Sequence, residues 1–109
     1  MKLLIAGSRN ISKFDMKPFV SDDVDVIISG GAKGIDAVAE RYADEHGLQK
    51  IVVRPQYDSY RRAAPLKRNE QMVDMADEVL VIWDGVSKGT AYTVKYAEKQ
   101  GKPVHVVIP

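Results

Sequence analysis

Glycine, hydroxyl and cationic residues come together in one short run, SGGAKGID over residues 29–36. The mostly apolar residues 24–28 before it have the pattern of a buried strand, and residues 37–43 after it favour a helix. A strand, a glycine-rich turn and a helix start can hold a phosphate, because free backbone N–H groups and the positive end of the helix dipole face one point. Lys33 would add a mobile positive charge there. The alternative is a tight turn that needs glycine and binds nothing, since the spacing matches neither the P-loop nor a clean G-x-G-x-x-G.

Two further glycine-bearing turns carry the same kinds of residue. Gly7, Ser8 and Arg9 follow the first apolar segment of the chain, and residues 84–90 follow the fourth. Hydroxyls, backbone N–H groups and cations suit a phosphate or a ribose. We therefore expect the three turns to form one anion-binding mouth if the strands that precede them are neighbours in a sheet.

Apolar and turn patterns predict an alternation of strands and helices. Pro18 interrupts the first predicted helix, which Ser12 would cap, and Pro65 suits the first turn of the third. Residues 56–65 have no clear period and are predicted to form a long loop. The predicted strands are 2–6, 24–28, 50–54, 78–83 and 104–108, and the predicted helices are 13–20, 35–46, 66–75 and 90–100.

This alternation is typical of a parallel sheet covered by helices on both faces. We predict a single α/β domain over residues 1–109, a three-layer doubly wound, Rossmann-like fold with a five-stranded parallel sheet in the order 3-2-1-4-5. Ligands of such sheets bind beyond the carboxyl ends of the strands where the winding reverses, here between the first and fourth strands. The three glycine-bearing turns would share that mouth.

The composition fits a small globular protein. Of the 109 residues 45% are hydrophobic and 28% charged, and a formal net charge of +1 does not indicate a general nucleic-acid binder. There is no cysteine and there are only two histidines, far apart, so we expect no metal site. No apolar run is long enough for a membrane span or a signal peptide, which makes the cytoplasm the expected location. The modest core of so short a chain is compatible with a homodimer.

A basic and aromatic segment follows the third predicted strand. Tyrosine faces can stack on bases and arginine can hold phosphate, which indicates single-stranded nucleic acid; the alternative is a solvated loop that covers the edge of the core. Asn69 could contact a base or a ribose, or cap a turn. For Trp83, core packing is favoured over stacking on a ligand. The residues of the segment are Arg54, Tyr57, Tyr60, Arg61, Arg62, Lys67 and Arg68.

Asp36 and Asp84 are the carboxylates nearest the expected mouth. The helix dipole explains an acid at Asp36 and turn chemistry explains one at Asp84, although either could accept hydrogen bonds from ribose hydroxyls. Neither has a partner whose spacing in the sequence marks a general acid or base.

The chain resembles the SLOG superfamily over nearly its whole length. The superfamily includes the LOG nucleoside-monophosphate phosphoribohydrolases and the DprA/Smf DNA-processing proteins, and the resemblance is strongest to the small YspA-like, YpsA-related domains. It implies a Rossmannoid fold and a pocket for a nucleotide-derived ligand, in a module that acts as a sensor or effector. The similar motifs are GSR at 7–9, SGGAKGID at 29–36, APLKRN at 64–69 with Met72, ADE at 76–78 and WDGVSKGTA at 83–91.

Thr93 departs from the pattern of the LOG hydrolases, whose second turn resembles P-G-G-x-G-T-x-x-E and ends in a catalytic glutamate. Gly89 and Thr90 are kept, but Thr93 stands in place of that glutamate and has no charge with which to steer water or stabilise an oxocarbenium-like centre. Arg68 lies where the LOG-like arginine would. The pair Arg68-Asn69 also resembles an Arg-Asn pair of DprA-like proteins, which bind single-stranded DNA.

The first hypothesis is therefore a module that binds a nucleotide-derived phosphorylated ligand of the ADP-ribose or NAD type. A nucleotide hydrolase is the second, with Asp36, Asp84 and Arg68 as candidate catalytic residues, and single-stranded DNA binding is the third. No cofactor beyond such a ligand is predicted. The predicted ligand-binding residues are Gly7, Ser8, Arg9, Ser29, Gly30, Gly31, Ala32, Lys33, Gly34, Asp36, Arg68, Asn69, Asp84, Gly85, Ser87, Lys88, Gly89 and Thr90.

Overall fold

A computed structural model describes residues 1–109 of the chain. Five strands form one sheet in the order β3-β2-β1-β4-β5, and every neighbouring pair is parallel. The predicted sheet and its strand order are thereby confirmed. The strands are β1 (Lys2–Gly7), β2 (Val26–Ser29), β3 (Gln49–Val52), β4 (Glu78–Ile82) and β5 (Val104–Val107).

Four α-helical segments and two short 3-10 turns connect the strands. The two faces of the sheet are covered separately, with α1 and residues 11–20 on one side and α3 and α4 on the other. None of the helices is both long and apolar enough to cross a membrane. The helices are α1 (Ile35–Glu45), α2 (Tyr57–Tyr60), α3 (Ala64–Met75) and α4 (Lys88–Lys99), and the 3-10 turns are Lys17–Phe19 and Arg61–Ala63.

The predicted helix over 13–20 is wrong, because only the 3-10 turn Lys17–Phe19 forms there. Pro18 has no N–H to complete a helical turn. The Asp15 carboxylate accepts a hydrogen bond from the Lys17 N–H at 3.1 Å, which suits a turn better than a helix interior. The segment instead places Met16, only 2% exposed, in the core against α1.

The predicted loop over 56–65 also needs correction. It contains the single-turn helix α2 and the second 3-10 turn, and α3 begins at Ala64, two residues earlier than predicted. Pro65 lies in the first turn of α3, as expected. Neither α2 nor the 3-10 turn has a buried residue, so no apolar period marks them in the sequence.

The two central strands, β1 and β4, are covered on both faces, which explains their nearly continuous apolar sequence. Leu3 and Ile5 belong to the core on the α1 side, whereas Leu4 belongs to the core on the side of α3 and α4. Because all five strands run the same way, the turns that follow β2, β1 and β4 lie side by side at one edge of the sheet. The fold thus places the three glycine-bearing turns together.

Gly7 ends β1 at a point where three elements approach closely. It pairs with Ile82 of β4, and a Cβ built on Gly7 would lie 2.2 Å from the Ile82 carbonyl oxygen and 2.8 Å from the Ile35 side chain of α1. Real Cβ atoms do not approach other heavy atoms so closely. Only glycine therefore lets the N-terminus of α1 sit directly against the ends of β1 and β4.

We expect Gly7→Ala to lower the free energy of unfolding by about 2–3 kcal/mol, because the methyl group overpacks a region that cannot yield without moving backbone. Urea unfolding followed by circular dichroism measures the effect. Gly89→Ala is the matched control, since nothing lies within 4 Å of its built Cβ. It should leave stability unchanged or raise it by up to about 1 kcal/mol, the helix preference for alanine. Equal stability of Gly7→Ala and wild type would contradict this account of the close approach.

Candidate functional site

A cavity of about 480 Å³ opens at the carboxyl ends of β1, β2 and β4, between the first turns of α3 and α4. Most of the predicted binding residues line it, namely Gly7, Ser8, Arg9, Ala32, Asp36, Arg68, Asn69, Asp84, Ser87, Gly89 and Thr90. The other predicted residues do not, namely Ser29, Gly30, Gly31, Lys33, Gly34, Gly85 and Lys88.

The prediction missed several lining residues on α3 and next to β1. Pro65, Leu66 and Met72 line the cavity, and with Arg68 and Asn69 they follow helical spacing along one face of α3. That spacing was the available signal, but apolar residues with this period are indistinguishable in sequence from a face buried in the core. The remaining missed lining residues are Ala6, Asn10 and Thr93.

Ser8 holds the turns after β1 and β4 and the start of α1 together. It is 1% exposed, and its hydroxyl oxygen accepts a hydrogen bond from the Asp84 N–H at 2.9 Å and lies 3.3 Å from the Ser87 hydroxyl. Its carbonyl oxygen accepts from the Ile35 N–H at 3.2 Å. The Ser8 side chain therefore fixes the cavity wall and has little hydrogen-bonding capacity left for a ligand.

The turn after β1 packs against the N-terminus of α1. Gly34 has a φ of +78°, and a Cβ there would lie 2.5 Å from the carbonyl oxygens of Ser8 and Arg9. Together with the bond from the Ile35 N–H to Ser8, this contact packs the turn after β1 against the start of α1, while the Asp36 and Ala37 N–H groups donate to no atom of the chain. The glycines of this turn thus serve close backbone packing.

The N-terminus of α4 is open to the cavity. The N–H groups of Gly89 and Thr90 donate to no atom of the chain, and the first turn of α4 has no acidic residue. Thr90 is 7% exposed and its hydroxyl has no partner within the chain. Since no buried polar side-chain atom lacks a partner, that hydroxyl keeps contact with solvent in the cavity. This end of the cavity therefore carries unused donors beside the positive end of a helix dipole.

Asp84 stabilises the turn before α4. One carboxylate oxygen accepts hydrogen bonds from the Val86 and Ser87 N–H groups, each at 2.9 Å, and the other accepts from the Ser87 hydroxyl at 3.0 Å. These bonds lower the pKa of Asp84 to about 2. The Asp84 carboxylate is thus hydrogen-bonded within the turn. Of the two interpretations, turn chemistry and acceptance of hydrogen bonds from a ribose, these bonds support the first.

Arg68 carries a buried guanidinium from α3 to the ends of β2 and β3. It is 7% exposed, and its Nη1 donates to the Gly30 carbonyl at 2.6 Å and to the Val53 carbonyl at 3.4 Å. Its Nε donates to the Asn69 side-chain oxygen at 2.9 Å. Nη2 has no partner within the chain. Since no buried polar side-chain atom lacks a partner, Nη2 keeps contact with solvent.

Asp36 lies next to Arg68 without forming an ion pair with it. Asp36 is 8% exposed, and its Oδ2 accepts a hydrogen bond from the Ala32 N–H at 3.1 Å. Burial raises the pKa of Asp36, and the Ala32 bond and the positive charge of Arg68 offset this in part. Both side chains lie within 3 Å of the point where a Cβ on Gly30 would be, so the missing side chain of Gly30 makes room for them.

The Ser29 hydroxyl is hydrogen-bonded within the chain, in the same turn. It donates to Glu40 at 2.9 Å and accepts from the Gly31 N–H at 3.2 Å, and the residue is fully buried.

The three glycine-bearing turns each carry a cation that was predicted to face the shared mouth. Arg9 lines the cavity, whereas Lys33 and Lys88 are exposed and do not line it.

The basic and aromatic segment divides into two parts. Tyr57 and Tyr60 are 57% and 39% exposed, and Arg61 and Arg62 are exposed as well. Arg68 is buried in the cavity wall, and Lys67 pairs with Glu70 at 3.7 Å.

Trp83 packs against the core on the side of α3 and α4 and donates its indole N–H to the Ser87 carbonyl at 3.1 Å.

Comparison with protein families gives one match. Residues 19–60 are similar to the family described as YAcAr: YspA, cpYpsA-related SLOG family. The matched stretch contains β2, the glycine turn, α1, β3 and α2. No curated protein matches the chain significantly.

The buried carboxylate of Asp36 should cost stability at neutral pH. Because the pKa of Asp36 is raised in the fold, its carboxylate lowers the free energy of unfolding by the full amount above the raised pKa. This loss disappears below the ordinary value of 3.8. Urea unfolding should thus show Asp36→Asn to be more stable than wild type at pH 7.5, with a difference that shrinks toward pH 4. Lower stability of the variant at pH 7.5 would mean that the bonds of this carboxylate outweigh its desolvation.

Asp84→Asn should behave in the opposite way. The pKa of Asp84 is lowered to about 2, so its stabilising contribution is present above 3.8 and is lost as the pH falls from there toward 2. The variant should be less stable than wild type at pH 7.5, and the two unfolding curves should converge in strong acid. Parallel curves down to pH 2 would show that the carboxylate charge does not support this turn.

Proposed function

We propose that the cavity binds a nucleotide or nucleotide-derived phosphorylated ligand, in keeping with the similarity of residues 19–60 to the YspA, cpYpsA-related SLOG family. The observation that carries the proposal is the open N-terminus of α4, where the Gly89 and Thr90 N–H groups and the Thr90 hydroxyl all lack partners in the chain. The protein would act as a binding module, in the manner of a sensor or effector.

The phosphate end of the ligand would lie at α4. Backbone N–H groups at a helix start, a buried hydroxyl and a helix dipole together form a site for an anion. Arg9 lines the same cavity and is exposed, so it is free to reach a phosphate oxygen. The carboxylate of Asp84 is already bound by the turn and competes little for these donors.

The nucleoside end would lie along α3. Pro65, Leu66 and Met72 offer an apolar surface of the kind on which a base or sugar ring packs. The Asn69 oxygen accepts from Arg68, which leaves the amide NH₂ of Asn69 free to donate to a base. One cavity thus combines an anion site, an apolar wall and a few polar groups, as nucleotide sites require.

Thr93 supports binding without turnover. It is 2% exposed and its hydroxyl donates to the Gly89 carbonyl within α4 at 3.1 Å. The position at which LOG-like proteins carry a glutamate therefore supplies neither a charge nor a free hydroxyl.

A nucleotide hydrolase is the second candidate, and one observation favours it. Asp36 is a cavity carboxylate with a raised pKa, the property expected of a group that transfers protons. Chromatography of nucleotides incubated with the protein would detect a released base or phosphate. Turnover that disappears in Asp36→Asn would favour the hydrolase; its absence in the wild type would favour the binding module.

Isothermal titration with AMP and ADP-ribose tests the binding site. We expect Thr90→Val to weaken binding about tenfold, because it deletes one hydrogen bond to a charged group while keeping the shape of the side chain. Thr93→Val is the matched control, since its hydroxyl is already satisfied inside the helix, and it should bind within about twofold of wild type. Equal losses in both variants, or no binding to the wild type, would contradict the proposal.

Arg9→Ala and Arg62→Ala distinguish the cavity from the basic surface. The first should reduce nucleotide affinity by about tenfold, and the second should leave it unchanged because Arg62 does not line the cavity. If the chain instead binds single-stranded DNA, Arg62→Ala should weaken oligonucleotide binding and the affinity should fall steeply with salt. Fluorescence anisotropy with a labelled oligonucleotide at two salt concentrations decides between the two.

A further inference from the structure

We infer that Asp36 selects a ribose over a deoxyribose, by accepting hydrogen bonds from the sugar hydroxyls of the ligand. The inference rests on the proposed function, because it assigns one end of the same cavity. It also gives the glycine turn after β2 a role, as the support of a sugar site.

The two carboxylate oxygens of Asp36 are not equivalent. Oδ2 is held by the Ala32 N–H, whereas Oδ1 accepts no hydrogen bond from the chain. No buried polar side-chain atom lacks a partner, so Oδ1 keeps contact with solvent, and Asp36 lines the cavity. A nearly buried carboxylate thus presents one free acceptor to whatever occupies this space.

Arg68, whose guanidinium lies next to the Asp36 side chain, supplies a free donor to the same cavity. Its Nε and Nη1 are occupied by Asn69 and by backbone carbonyls, which leaves Nη2 without a partner. A hydroxyl group both donates and accepts, so it can satisfy Asp36 Oδ1 and Arg68 Nη2 together. Two neighbouring hydroxyls, as in a ribose, can use both free positions.

A phosphate does not fit this end of the cavity equally well. The negative charge of Asp36 repels an anion, and of the two cations whose charges act on it, Arg68 has its Nε and Nη1 already bonded and Arg9 is exposed. The unused donors at Gly89 and Thr90 lie at the other helix start, where no acidic residue belongs to the first turn. The Asp36 carboxylate and the free donors at α4 therefore orient the ligand with its phosphate toward α4 and its sugar toward Asp36.

The geometry of the glycine turn fixes both groups before a ligand arrives. The Gly30 carbonyl binds Arg68, the Ala32 N–H binds Asp36, and the hydroxyl of Ser29 ties the turn to Glu40 of α1. Because the polar groups are already in place, binding does not have to order them.

The test compares AMP with 2′-deoxy-AMP, and GMP with 2′-deoxy-GMP, by isothermal titration. Wild type should prefer the ribose form by about tenfold to a hundredfold, the range expected for a hydrogen bond to a charged group. In Asp36→Asn, the Ala32 N–H keeps the side-chain oxygen, so the amide NH₂ faces the cavity and the acceptor becomes a donor. The preference should then fall to about twofold or less, through weaker binding of the ribose form.

Asp74→Asn is the matched control, because Asp74 lies on the outer side of α3, where it accepts from the Tyr96 hydroxyl. It should keep the full preference for ribose. Urea unfolding confirms that Asp36→Asn is folded, and the raised pKa of Asp36 predicts that it is at least as stable as wild type.

Equal binding of the ribose and deoxyribose forms by wild type would overturn the inference and leave the proposed function intact. A ribose preference that survives in Asp36→Asn would do the same. Failure of all four nucleotides to bind wild type at millimolar concentration would overturn the inference and the proposed function together.

Discussion

A guanidinium inside a protein must find acceptors for its N–H groups, and Arg68 finds them on the backbone. Its bonds to the Gly30 and Val53 carbonyls join α3 to the turns after β2 and β3. A buried cation without such acceptors would be strongly destabilising. The bond to Gly30 forms only because that residue has no side chain. The α3 wall of the cavity depends on this contact, and so does the position of Asp36 opposite it.

Ser8 has the corresponding role on the other side of the cavity. One hydroxyl and one carbonyl of this residue connect the turns after β1 and β4 and the start of α1. Polar groups near the mouth therefore fall into two sets. Some, such as those of Ser8, Ser29 and Asp84, are satisfied within the chain and give the loops their shape. Others, such as the Thr90 hydroxyl, remain free, and only this second set is available to a ligand.

The same division explains the opposite titration behaviour of the two carboxylates. Asp84 receives several hydrogen bonds at the surface, and its pKa falls to about 2. Asp36 receives one such bond while losing most of its hydration, and its pKa rises. The desolvation of a buried carboxylate costs free energy, and a ligand that donates a hydrogen bond to it can offset that cost. Groups with a pKa shifted in this way are common at binding sites. The electrostatics of the cavity thus follow from how each carboxylate is satisfied.

The amino-acid sequence alone predicted the parallel sheet and the glycine-bearing turns at the strand ends, because apolar strand patterns alternate with helical ones. The order 3-2-1-4-5 was chosen among the strand orders that this alternation allows, and the structure confirmed it. The sequence also indicated Arg9, Asp36, Arg68 and Thr90 as cavity residues. It failed for the segments around Pro18 and Tyr57, where no apolar period exists. The tertiary structure was needed to show which N–H groups a neighbouring loop bonds, such as that of Ile35 by the Ser8 carbonyl, and which stay free at the start of α4. A backbone N–H group has the same chemistry whether or not it is bonded, and the carbonyl that would accept its hydrogen bond lies far away in the sequence.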